Sequence, residues 1–346
     1  MSDRALPLET DRTTAMSTAS ALEADGRLID AVRLLTERNR AARDQEVEER
    51  LVRLRHEAFA SLAPQPPADA RPITAAPGDP GPLTGLRPEQ LDSAALHDGL
   101  ARQGCVLVRG LISPDRAEHL AGGIDRALDA FDAGLDGAPR HQTSPWYAPF
   151  QPSSGQYRVG GRRNWVRASG GVWTADSPRM LFDLLELVDE TGIGELVTAY
   201  LGERPALSAN KCTLRRVPVT TNTNWHQDGA FLGAEVRTLN LWLCLSRCGT
   251  DAPGLDILPR RLDGVLETGT DGALFDWSVS PNLVAGLSER TPVIRPPFEP
   301  GDALLFDHLL LHRTAVGPEM TRERHAIETW FFAPSSYPEG QIPIVY

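Results

Sequence analysis

The chain has 346 residues, 41% of them hydrophobic and 23% charged, with a formal net charge of −11. This is the composition of a soluble globular protein of one large domain or two ordinary ones, and its acidic balance argues against a nucleic-acid partner, which needs a basic face. No run of 18 apolar residues occurs and "MSDRALPLETDRTT" has no apolar signal core, so no membrane span is expected and a cytoplasmic location is.

Residues 1–18 are polar and are expected to be disordered. Residues 19–62 carry two helical patterns. "GRLIDAVRLLTERNR" places Leu28, Val32 and Leu35 on one face, and "EVEERLVRLRHEAFASL" does the same with Val47, Leu51, Leu54 and Ala58. "AARDQ" suits the turn between them. Such a helical hairpin is too short to bury a core alone, so it must pack on the main domain, on a second copy in a homodimer, or on a partner. Residues 63–85 follow as a linker. Seven prolines between residues 64 and 82 forbid helix and central strand there.

From residue 86 to 346 the pattern is that of one folded domain. "RPEQLDSAALHDGLARQG" reads as helix and "CVLVRGLI" as strand. Ser113 caps a helix with Pro114 in its first position. Residues 137–175 are rich in Gly, Pro and aromatics without a clear period, which suits an ordered loop region for substrate contacts. "SPRMLFDLLELVDETGIGELVTAYLG" returns to helix.

After residue 205 the texture becomes strand-like. "KCTLRRVPV", "VRTLNLWLCLSR", "LDILP", "TPVIRPPF", "DALLFD" and "RHAIETWFFA" are short apolar or alternating runs between Gly, Pro and Asp. Six or more such strands suggest an α+β fold with a sandwich or jelly-roll core, flanking helices and the N-terminal hairpin. Residues 263–291 are long for a β connection, as lids or disordered inserts are. The four cysteines, Cys105, Cys212, Cys244 and Cys248, are too few and scattered for a disulfide framework, and C-x3-C is not a usual zinc spacing. Buried reduced thiols are expected.

In "NTNWHQDGAF", His226 and Asp228 stand at i and i+2. In an extended segment both side chains project to one face, which makes half of a metal site. The later "GDALLFDHLLLHRT" offers His308 and His312 as a third ligand. They are four apart, so strand parity cannot choose between them. Arg324, twelve residues past His312, can: the next strand would carry it back beside His312. His308, His325, His141 and His119 are assigned to surface or core.

The ordered set "WHQD", "GDALLFD", "LLLHRT" and "RHAI", with "NLWLCL" and "PGLDILPR" between, resembles the phytanoyl-CoA dioxygenase-like family of iron(II)/2-oxoglutarate dioxygenases. "CVLVRGLISPDRAEHL" resembles that family's N-terminal strand and helix, and the likeness spans about residues 88–333. It implies a double-stranded β-helix (jelly roll), with His226, Asp228 and His312 as ligands to Fe(II). Two histidines and a carboxylate leave open positions for 2-oxoglutarate and O2. The far carboxylate of 2-oxoglutarate needs a fixed cation, which is assigned to Arg324, with Arg322 as the neighbouring alternative. Thr314 would add a hydroxyl. On "VRTLNLWLCL", Asn240 and Trp242 share the face away from the leucines, and the resemblance places Trp242 on the co-substrate.

Family members that halogenate lack the carboxylate, so Asp228 implies hydroxylation or a related oxidation of a small molecule, with succinate and CO2 released. Desaturation, epimerisation and cyclisation begin in the same way. The breadth of the family suggests tailoring of a secondary metabolite. The other readings are a cupin-like metal isomerase or other barrel enzyme, and an interaction protein acting through residues 19–62.

Overall fold

The N-terminal helical segment is longer than its sequence pattern suggests. The computed structural model describes residues 12–63, 73–153, 157, 159, 161–221 and 224–346. It opens with three helices, α1 (Arg12–Ala24), α2 (Leu28–Ala41) and α3 (Gln45–Glu57), where two were expected. Residues 1–11 lie outside the described residues, but 12–18, expected to be disordered, are helical. Helix α1 escaped notice because its buried positions are the small Ala15 and Ala19 rather than a leucine stripe. Ion pairs of Arg12 with Asp44 and of Arg50 with Glu23 tie it to α3. Asp44 caps α3, accepting from the backbone N–H of Glu46 and Val47.

This helical unit packs on its own chain. Its apolar cluster of Leu35, Val47, Leu51 and Leu54 takes in Phe182 from a later helix, and Val52 joins the main core. Arg55 Nη1 donates to the Val345 carbonyl at 2.9 Å, and His56 Nδ1 bonds Pro343 O at 2.9 Å. The fully buried Glu48 carboxylate accepts from Arg43 and Arg179. Residues 64–72 of the proline-rich stretch lie outside the described residues. The rest runs along the domain, with Ala76 N donating to Ala101 O and Leu86 N to Leu107 O.

Helix α4 (Ser93–Gln103) leads into β1 (Cys105–Val108), and α5 (Pro114–Leu135) is capped by Ser113 as its sequence indicates. Short elements α6 (Arg140–Thr143), α7 (Arg162–Ala168) and β2 (Gly171–Trp173) occupy the stretch read as loop. Helices α8 (Pro178–Glu190) and α9 (Ile193–Leu201) complete the helical part.

The strand-rich part comprises β3 (Ala206–Ser208), β4 (Thr213–Val217), α10 (Gly229–Leu232), β5 (Thr238–Cys244), β6 (Gly254–Ile257), α11 (Pro281–Ser288), β7 (Ala303–Phe306), β8 (His312–Ala315), β9 (Arg324–Phe332) and β10 (Pro343–Val345). A large antiparallel sheet runs β1-β7-β5-β9-β3-β10, with β4 also on β9 and β2 on β4. Strands β6 and β8 form a second sheet. Single bridges widen it, Ile257 to Ile294 on one side and His312 to His226 on the other. "TPVIRPPF" therefore yields isolated bridges rather than the expected strand, because Pro296 and Pro297 have no N–H to give a ladder. The two sheets meet over a shared interior. The Phe306 ring lies 5.0 Å from that of His312, and Trp242 lies 4.8 Å from Phe298. No described helix is long and apolar enough to cross a membrane.

Candidate active site

Two histidines and one aspartate converge where the small sheet meets the interior. One ligand-type atom from each of His226, Asp228 and His312 lies within 4.8 Å of the others. The backbone sets this directly. His226 N donates to His312 O at 3.0 Å and His312 N to His226 O at 3.1 Å, so the two residues face each other across a bridge. Their ring centroids are 4.4 Å apart.

Asp228 arrives differently from the same-face strand geometry expected. It has helical dihedrals, φ −63° and ψ −23°, and opens α10. The chain turns because Gly229 N donates to His308 O, while Phe231 N and Leu232 N return to Asp228 O. Only glycine fits next: a Cβ on Gly229 would lie 2.7 Å from Val265 Cγ2 and 3.0 Å from His308 Cδ2.

Each ring is oriented by a backbone carbonyl. His226 Nδ1 is 2.8 Å from Asn224 O and His312 Nδ1 is 3.0 Å from Leu310 O. A carbonyl only accepts, so Nδ1 carries the proton and Nε2 keeps a free lone pair, the tautomer a metal requires. Burial, with a smaller contribution from His312, pushes the His226 pKa down to about 4. The ring is therefore neutral at pH 7. Burial would raise Asp228, but Lys211, His312 and His226 outweigh it and hold its carboxyl below the usual range.

The residues between the ligands work outward. Gln227 is fully buried, and its Nε2 donates to Gly264 O at 3.1 Å and Leu309 O at 2.7 Å. Its Oε1 accepts from Leu266 N at 2.7 Å. Trp225 packs with Leu258, Val279, Val284 and Leu311 and takes a hydrogen bond from Val279 N. Residues 263–291, read as a lid or disordered insert, are thus stitched to the side chains that flank His226. Trp277 from this segment sets its ring 5.6 Å from that of His226, nearly perpendicular.

Arg324, at the start of β9, is 1% exposed. Its Nη1 donates to the carbonyls of Pro253 at 3.2 Å and Gly254 at 3.0 Å, while Nε is buried with no partner. Among the described residues no carboxylate stands within ion-pairing distance of it, and burial lowers its pKa. Its guanidinium lies 5.3 Å from the Trp242 ring. Asn240 Oδ1 and Trp242 Nε1 are also buried and unpartnered. A buried guanidinium and an indole N–H with unused donors fit an acidic co-substrate. Thr314 is buried two residues past His312, on the same strand face. Arg322 points elsewhere: its side chain is 68% exposed and pairs with Asp251.

His308 stands outside the cluster, its Nε2 against Ala234 O at 3.1 Å. The cysteines are buried and free, with Cys244 and Cys248 Sγ atoms 3.7 Å apart. Sequence reasoning missed Lys211, whose Nζ lies 3.5 Å from Asp228 Oδ1. The alternation of Lys211, Thr213 and Arg215 in "KCTLRR" was the available signal. It also missed Gln227, for which the sequence offered none.

The family model of phytanoyl-CoA dioxygenase (PhyH) matches residues 100–316, well over half of the chain. The chain belongs to the phytanoyl-CoA dioxygenase family. It is an iron(II)- and 2-oxoglutarate-dependent oxygenase. Among curated proteins no sequence relative matches this chain. Among solved structures, EctD from S. alaskensis with 2-oxoglutarate and 5-hydroxyectoine is 17% identical with a TM-score of 0.50, over 80% of this chain and 85% of that one. AviO1 from Streptomyces viridochromogenes Tue57 is 20% identical with a TM-score of 0.45, over 72% of this chain and 98% of that one. The carbocyclase SnoK from nogalamycin biosynthesis is 15% identical with a TM-score of 0.45, over 72% and 87%. The likeness to EctD is one of fold.

Proposed function

We propose that the chain hydroxylates a small molecule at an iron(II) centre held by His226, Asp228 and His312, with release of succinate and CO2. The observation that carries this is the convergence of two correctly tautomerised imidazoles and a carboxylate within 4.8 Å. Bound iron(II), with 2-oxoglutarate and O2, supplies the oxidising power. The protein supplies orientation. Backbone carbonyls fix both imidazoles, and the mutual backbone pairing of residues 226 and 312 fixes their separation.

Arg324 would hold the far carboxylate of 2-oxoglutarate, with Thr314, Trp242 and Asn240 lining its path. The unpaired N–H donors of Arg324 Nε and Trp242 Nε1 support that assignment. The presence of Asp228 favours hydroxylation over halogenation. The two sheets and the EctD-like fold support a double-stranded β-helix core for residues 86–346, and residues 19–62 a support outside the chemistry. A small-molecule substrate, as in the EctD complex, and a cytoplasmic location complete the reading. The secondary-metabolite tailoring role rests on the breadth of the family alone. Iron-dependent conversion of 2-oxoglutarate to succinate by the purified chain tests the assignment, and its absence with iron, 2-oxoglutarate and O2 present would count against it.

A further inference from the structure

Lys211 lies just before β4, and its ammonium faces the metal-ligand cluster. Its Nζ stands 3.5 Å from Asp228 Oδ1, at the outer limit of a hydrogen bond, and 3.7 Å from the centre of the Phe231 ring. Among the described residues Asp228 is its only carboxylate partner. The neighbouring interior cation, Arg215, approaches Glu328 instead. A divalent metal held by Asp228 would claim that carboxylate's charge. The ammonium would then face a like charge, and an anion beside it would restore the balance.

That anion is not the far end of 2-oxoglutarate. Arg324 pairs with Val217 at one end of the β4–β9 ladder, whereas Thr213, two residues past Lys211, pairs with Glu328 toward the other. A co-substrate reaching from the triad to Arg324 extends away from Lys211. Around Lys211 the site opens outward and is walled by rings. His226 is the least buried of the three ligand residues, and Phe231 is 40% exposed. Trp277 lies 6.3 Å from Phe231 at 85°, with Phe275 stacked on it at 5.0 Å. Exposed aromatics beside a reactive centre mark a surface meant to be covered.

We propose that Lys211 anchors an acidic group of the substrate, so that the enzyme oxidises a small organic anion whose apolar part rests on Phe231 and Trp277. This deepens the iron/2-oxoglutarate reading and depends on it. The test uses the full chain loaded with iron(II) and 2-oxoglutarate without oxygen. Phenylacetate and 2-phenylethanol, alike in shape but not in charge, are titrated while the iron-to-oxoglutarate charge-transfer band is followed. Wild type should bind phenylacetate about tenfold more tightly or better, as a charge-assisted hydrogen bond implies. Lys211→Met should erase the preference and Lys211→Arg keep most of it, with the charge-transfer band still forming in both. Absence of the preference in wild type, including failure of both probes to bind, overturns the proposal. So does a Lys211→Met variant that loses affinity for iron or 2-oxoglutarate, which would give the ammonium to Asp228 or to the co-substrate. Absence of the band itself in wild type would instead defeat the iron/2-oxoglutarate reading.

Discussion

His226 and His312 exchange both of their backbone hydrogen bonds with each other, at 3.0 and 3.1 Å, although 86 positions separate them in the sequence. The pairing makes the separation of the two imidazoles a property of the sheet rather than of side-chain choice. Asp228 joins them through a helical turn that starts two residues later.

The residue between the ligands should matter for the loop above them. Gln227→Ala would leave Leu309 O without its partner in a buried place, and Gly264 O and Leu266 N without theirs nearer the surface. A buried unmade bond such as that of Leu309 O costs about 1–3 kcal/mol, and one that water can reach costs less. Hydrogen exchange should therefore rise across residues 263–291 well beyond any change in α5. Uniform exchange over both regions would show that Gln227 stabilises the whole domain instead.

The metal-free protein should lose stability on mild acidification. His226 has its pKa depressed to about 4 in the folded chain. Between that value and the ordinary histidine value of about 6.5, the unfolded state binds the proton more readily, so stability falls as pH falls through this window. His226 is half-buried as a residue, which keeps the effect to about 1–2 kcal/mol between pH 7 and 5. Urea unfolding at the two pH values should show the difference, and His226→Asn should reduce it.

Arg324→Ala should weaken 2-oxoglutarate by about tenfold or more while iron(II) affinity holds, since a charged hydrogen bond contributes about 1.5–3 kcal/mol. Arg324→Lys should recover part of it, because an ammonium lacks the two-pronged geometry. Arg322→Ala should be silent, as its partner Asp251 is a surface contact. A loss confined to Arg322→Ala would move the anchor.

Helices α1–α3 should support stability rather than turnover. Glu48 is buried with Arg43 and Arg179, whose side chains are 33% and 26% exposed. Glu48→Gln frees Arg179, which water still reaches, and leaves Arg43 to Asp183, so it should cost about 1–3 kcal/mol, short of the loss for a fully buried pair. Thermal unfolding measures this. A drop in 2-oxoglutarate affinity without a drop in melting temperature would bring these helices into the site.

The sequence exposed what depends on local pattern and missed what depends on distance. Ser113 before Pro114 marked α5, and the alternation of "VRTLNLWLCL" marked β5, because caps and pleats are written in neighbouring residues. The triad residues were legible as types at a spacing. Their geometry was not, since Asp228 turns into a helix through a contact with His308, eighty residues away. Helix α1 was hidden by the small side chains that let it approach α2. Strands β3 and β10, three residues each, carry too little pattern to be read without their partners.

The most direct test of the central claim is an anaerobic titration of iron(II) and 2-oxoglutarate into wild type, His312→Ala and His308→Ala, followed by the iron-to-oxoglutarate charge-transfer band. Wild type and His308→Ala should develop the band. His312→Ala should not, because it removes one imidazole from the triad, whereas His308 stands outside it against Ala234 O. A band that survives in His312→Ala and vanishes in His308→Ala would contradict the assignment of the metal centre.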